Sequence, residues 1–132
     1  MRFLLTIVFV AACVTTTEII PVAYDLVDDP THQEFRVSFR NSTNSQLCLA
    51  PEHWPNATGR INQASDRVAV VIGDQRFPIE DFNTGYCVGG CPFRVRPGEE
   101  LSATIPYSQF NIPPSLEGSE KRLEFAPQAF RC

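Results

Sequence analysis

Beyond residue 20 apolar and polar residues alternate with a period of two in several stretches, and no stretch sustains a 3.6-residue apolar period. Phe35, Val37 and Phe39 share one face of a predicted strand, with Arg36, Ser38 and Arg40 on the other. Leu101, Ala103 and Ile105 repeat the pattern, and residues 93–96 and 123–125 are shorter versions of it. Residues 67–72 are more continuously apolar, as a central strand covered on both faces requires. These runs are rich in the β-branched and aromatic side chains that fit a pleated surface.

Turn residues punctuate the runs. Residues 28–31 (Asp-Asp-Pro-Thr) end a first strand predicted around 21–27. Gly73 and Asp74 read as a two-residue hairpin turn. Pro97 and Gly98 fit the two central positions of a turn between Val95 and Leu101. Pro106 and the pair Pro113 and Pro114 lack backbone donors and mark strand ends or edges. The pattern predicts an all-β domain over residues 21–132. Its expected form is a small antiparallel β-sandwich of immunoglobulin-like architecture with about seven short strands; a small barrel is the rival. Membership of the true immunoglobulin family is excluded. Tyr86 immediately precedes Cys87 instead of standing two residues before it, and Trp54 lies on a proline-flanked loop.

The N-terminus follows different rules. Arg2 supplies a positive charge, residues 3–10 are a short apolar run, and Ala11, Ala12 and Cys13 follow. This is the layout of an export leader, and it falls well short of the ~20 apolar residues that span a bilayer. Val10-Ala11-Ala12-Cys13 resembles the lipobox of bacterial lipoproteins, with Val10 where that family prefers leucine. The resemblance implies that residues 1–12 are removed and that Cys13 is acylated as the new N-terminus. A membrane attachment through lipid follows, with residues 13–20 as a tether. Val14 in place of aspartate after that cysteine implies, by the same resemblance, outer-membrane delivery facing the periplasm. The competing reading is an ordinary leader cut after Ala12.

The chain of 132 residues has five cysteines, an odd number for an exported protein. A lipidated Cys13 leaves Cys48, Cys87, Cys91 and Cys132, enough for two disulfides. The expected pairing closes the Cys87–Cys91 loop, which Gly89 and Gly90 let turn tightly, and joins Cys48 to Cys132. Four cysteines allow three connectivities, and spacing alone does not choose among them. A zinc site from Cys87, Cys91 and either His53 or His32 lacks a second matching ligand pair. Redox chemistry would want a C-x-x-C spacing that is missing.

Charge adds one exclusion. With 15 Asp+Glu against 11 Lys+Arg and a net of −4, the chain has no excess of basic charge to meet nucleic acid phosphates. The sequence contains no G-x-S-x-G, H-E-x-x-H or phosphate-cradling glycine loop. The neighbouring carboxylates Asp28 and Asp29, Glu80 and Asp81, and Glu99 and Glu100 read as solvated turns. Asn41-Ser-Thr and Asn56-Ala-Thr are formal glycosylation acceptors that matter only in a eukaryotic source. No cofactor is expected.

What remains is loops on a rigid frame. The expected partner-binding residues are His53 and Trp54 on the loop over 50–66, with Phe82 and Tyr86 on the segment over 80–92. The expected function is a lipid-anchored, non-catalytic module that binds or inhibits another envelope protein. The alternatives are a structural accessory acting through strand edges, and a secreted redox or metal protein. Intact-mass spectrometry of the protein recovered from cells tests the leader. The expected species begins at Cys13, carries acyl mass and has two disulfides; a deacylated species with a free thiol would overturn it.

Overall fold

The computed structural model describes residues 18–62, 67–81 and 93–132. In chain order the described strands are β1 (Ile19–Pro21), β2 (Asp25–Asp29), β3 (Glu34–Arg40), β4 (Leu47–Leu49) and β5 (Ala69–Ile72). They continue with β6 (Gln75–Pro78), β7 (Phe93–Val95), β8 (Glu100–Pro106), β9 (Arg122–Glu124) and β10 (Gln128–Arg131). All pairings are antiparallel. They make a four-stranded sheet in the order β1-β10-β4-β7 and two three-stranded sheets, β2-β3-β8 and β6-β5-β9. The all-β class is as expected, and three antiparallel sheets around one apolar cluster are consistent with a β-sandwich.

The alternating pattern is realised most fully in β3, where Phe35, Val37 and Phe39 are buried and Arg36 and Arg40 are exposed. Its register sets Val37 opposite Ala103 and Phe39 opposite Leu101 on β8. The apolar run over 69–72 is the central strand of its sheet, turned into β6 by Gly73 at φ 59°. Gly98 sits at φ 77°, and the Glu99 N–H donates to Arg96 O at 3.0 Å, closing the turn that Pro97 starts. That turn leads from one sheet to another instead of joining paired neighbours.

Three expectations need correction. The described strands number ten instead of about seven, because residues 21–27 divide between two strands and β4 and β10 are too short to show an alternating pattern. The strand predicted over 21–27 is two strands in two sheets. Pro21 ends β1, the Val22 N–H donates to Pro127 O, and the Tyr24 hydroxyl donates to Phe125 O at 2.5 Å while its ring meets Phe125 edge-on. The tether is also shorter than residues 13–20, since Ile19 and Ile20 pair with Phe130 and Ala129.

Cys48 and Cys132 form a disulfide with Cα atoms 5.3 Å apart, cross-linking β4 to the residue after β10. Closing a sequence separation of 84 residues stabilises by about 4–5 kcal/mol in the chain-entropy model. Cys87 and Cys91 lie outside the described residues, as does Cys13.

A second tie is polar. Asn41 is fully buried just past β3. Its Nδ2 donates to Ser45 O at 2.8 Å and to Val95 O at 2.9 Å. Its Oδ1 accepts from the Thr43 N–H at 3.0 Å and the Thr43 hydroxyl at 2.7 Å. Its backbone bonds to Glu99 O and to the Gly98 N–H. With both amide hydrogens committed, Asn41 is not a glycan acceptor in the folded protein. Removing the amide strands the buried Val95 carbonyl at about 1–3 kcal/mol and forfeits the part-buried bonds to Ser45 and Thr43. Asn41→Ala should therefore lower stability by about 3 kcal/mol, read from the urea midpoint. A loss below about 1 kcal/mol would show that these bonds are dispensable.

Candidate functional site

The long loop after β4 is built on local hydrogen bonds. The His53 N–H donates to Ala50 O at 2.9 Å and the Asn62 N–H to Pro51 O at 3.0 Å, bringing its ends together like an Ω-loop. Within it the Asn56 side chain accepts from the Thr58 N–H, the Thr58 hydroxyl and the Arg60 N–H at 2.9, 2.8 and 3.1 Å. Gly59, at φ +76°, packs where a Cβ would stand 2.4 Å from Pro106 Cδ and 2.7 Å from Thr104 O. Only glycine lets this loop close against β8.

The closure turns Trp54 inward. Its indole is 0% exposed and packs edge-on against Phe39 at 5.4 Å and tilted against Phe125 at 5.9 Å between ring centroids. Trp54 is thus a core side chain on a loop, and the expectation that it is an exposed partner anchor is corrected. The gain from burying so large an apolar ring outweighs its polar loop setting. Its Nε1 is the only buried side-chain nitrogen or oxygen without a hydrogen-bond partner among the described residues. His53, beside it, is half-buried, and burial together with the Arg67 charge pushes its imidazole below the ordinary histidine value, with Glu52 opposing. Phe82 and Tyr86, the other two expected anchors, lie outside the described residues.

A cleft of about 490 Å³ runs between residues 54–57 and β8, with Phe93 of β7 beside it. Leu101 and Ala103, on the core-facing side of β8, border it and are only half-buried. No sequence motif marks this cleft. The alternation of β8 places Leu101 and Ala103 on the inner face without saying that their cover is incomplete.

Two clusters of titratable groups flank the β2–β3 hairpin. Asp29 is buried and accepts from the His32 N–H at 3.2 Å, from His32 Nδ1 at 2.9 Å and from Arg36 Nη2. The His32 ring bond, helped by the His32 backbone N–H and the His32 and Arg36 charges, holds the carboxyl below its ordinary value despite burial. His32 is thereby engaged with a carboxylate. Asp28 points the opposite way and accepts from the Tyr107 hydroxyl. Burial and that carboxylate push the Tyr107 hydroxyl well above the usual tyrosine range. Lys121, the one lysine of the chain, is buried with its ammonium 4.6 Å from the Tyr107 ring centroid, and donates to Glu117 O and Ser119 O. Among the described residues no three metal-ligating side chains converge, and no helix is long and apolar enough to cross a membrane.

No family model matches the chain, and no curated protein does.

The depressed Asp29 pKa has a defined consequence. It stabilises the fold above the unfolded carboxylate range near pH ~4, and the effect is lost as pH falls through the lower folded value. The urea midpoints of wild type and Asp29→Asn should differ above about pH 5 and converge toward about pH 2. A gap independent of pH would assign the effect to packing rather than charge.

Proposed function

We propose that the chain is a lipid-anchored envelope protein whose immunoglobulin-like β-sandwich is a non-catalytic module for binding another envelope protein. The observation that carries the reading is the Cys48–Cys132 disulfide. Such a cross-link belongs to an oxidising compartment, which is where the leader and the Val10-Ala11-Ala12-Cys13 motif would send the chain. The first described residue, Glu18, stands a few residues from Cys13, so the acylated end would lie close to β1.

A specific observation favours strand edges over loops as the surface for the partner. Among the described residues β2 is an edge strand of its sheet, with Leu26 and Val27 exposed at 38% and 53%. An edge with open backbone groups and uncovered apolar side chains is suited to accepting a partner strand. Pairing of two copies through β2 about Val27 would set Asp25 against Asp29, which disfavours self-association. This is the accessory-subunit form of the proposal, and inhibition of a hydrolase is a loop-borne version of it.

Affinity capture from envelope extract distinguishes them. Val27→Lys should reduce partner recovery by about tenfold or more, while His53→Ala and Tyr86→Ala leave it unchanged. The reverse pattern would place the partner on the loops. Cys13→Ala should release the protein from the membrane fraction; retention there would remove the lipid anchor from the reading.

A further inference from the structure

We propose that the open edge of β8, beside the cleft at residues 54–57, takes up an extended segment of another polypeptide as an added strand with apolar side chains at alternate positions. This site is separate from the partner surface above. β8 lies at the opposite edge of the sheet from β2, and the lipid anchor takes no part in it.

The hydrogen bonds at the two ends of β8 fix which of its backbone groups are open. Among the described residues β8 pairs with β3 alone. The Asn41 N–H donates to Glu99 O and the Tyr107 N–H to Gln33 O, both at 2.9 Å. These bonds continue the register in which Arg40 faces Glu100 and Glu34 faces Pro106. In an antiparallel ladder only every second pair is hydrogen-bonded. Leu101, Ala103 and Ile105 therefore bond to β3, and Glu100, Ser102, Thr104 and Pro106 turn their backbone groups outward. Two observations agree. Thr104 O faces Gly59, standing 2.7 Å from where a Cβ would be built there. Pro106, which has no N–H to offer, falls at an outward position.

The outward groups select the ligand. Ser102 is exposed and borders the cleft, and its N–H and C=O meet no partner among the described residues. A donor and an acceptor on one extended residue are matched together by another peptide backbone, and by neither a hydrocarbon nor a simple ion. Paired antiparallel at Ser102, the added segment sets its two flanking side chains opposite Leu101 and Ala103, which are half-buried. Those side chains enter the cleft of about 490 Å³ and meet Pro55, Ala57 and Phe93, so they are apolar, with a polar residue between them. A second copy of this chain is disfavoured as the occupant. Two-fold pairing about Ser102 would bring its Glu100 opposite Thr104, where Gly59 stands.

The test uses the full disulfide-bonded chain and the end-blocked heptapeptide Lys-Thr-Val-Thr-Val-Thr-Lys. Saturating peptide should slow exchange of the Ser102 amide hydrogen about tenfold or more, read by NMR, and leave that of Ala103 within about twofold. Methylating the central threonine nitrogen of the peptide keeps its side chains and charges but removes the N–H. Calorimetry should then show binding weakened about fivefold or more. Ser102→Pro removes the outward donor without a bond to β3, as Pro106 does in the native strand, and should weaken binding by a similar factor. Unchanged exchange at Ser102, equal affinity for the methylated peptide, or protection of Ser102 in a dimer formed without peptide would each overturn the proposal. The methylated-peptide comparison stands even where Ser102→Pro does not fold.

Discussion

The amide of Asn41 fixes the geometry on which the rest of the fold is assembled. It lies where β3 leaves one sheet, and its two hydrogens reach Ser45 in the bend ahead of β4 and Val95 at the end of β7 in another sheet. Its own carbonyl receives the Gly98 N–H from the turn that sends the chain back to β8. One residue, through its side chain and its backbone, thus coordinates the departure of the chain from a sheet and its return. A buried polar group is expensive unless every partner is present, so this arrangement is demanding and therefore specific. Apolar packing alone, being non-directional, would tolerate neighbouring registers. The amide does not.

The disulfide acts on the same four-stranded sheet from its other end. Cys48 is in β4, and Cys132 follows β10, which also holds β1. The first and last described strands are therefore paired with each other, and the cross-link keeps them next to β4. The loop after β4 closes over this frame through Asn56 and Gly59, and the closure buries Trp54 while leaving an opening beside β8. The same local chemistry, an asparagine accepting from the residue two positions on and from its hydroxyl, recurs at Asn41 and Asn56. Both Asn-x-Thr triplets are turn-formers here.

Much of the strand content was legible, because alternation with period two reports which face is buried. β3 and β8 follow that rule directly, while β5 is legible from its continuous apolar run and Gly73 marks the hairpin after it. Sheet membership was not legible. Nothing in Pro21–Val27 announces that Tyr24 will latch onto Phe125 and move the chain into a second sheet. Trp54 was misread for a related reason. A tryptophan among Pro, His, Glu and Asn looks surface-bound along the chain, yet closure of the loop through Asn56 and the approach of Gly59 to β8 put it inside. That approach to a distant strand carries no signature beside Trp54. The edge position of Leu26 and Val27 was equally hidden, since only the sheet order makes β2 an outer strand.

The placement of the half-cystines also constrains how the molecule comes to be made. Synthesis runs from the N-terminus, so Cys48 emerges long before Cys132 and meets Cys87 and Cys91 first. Any bond that Cys48 forms in that interval is non-native and has to be undone by thiol–disulfide exchange once Cys132 arrives. Maturation is thereby linked to an isomerising catalyst or to delayed oxidation, and the yield of correctly joined molecules becomes a matter of timing as well as of energy.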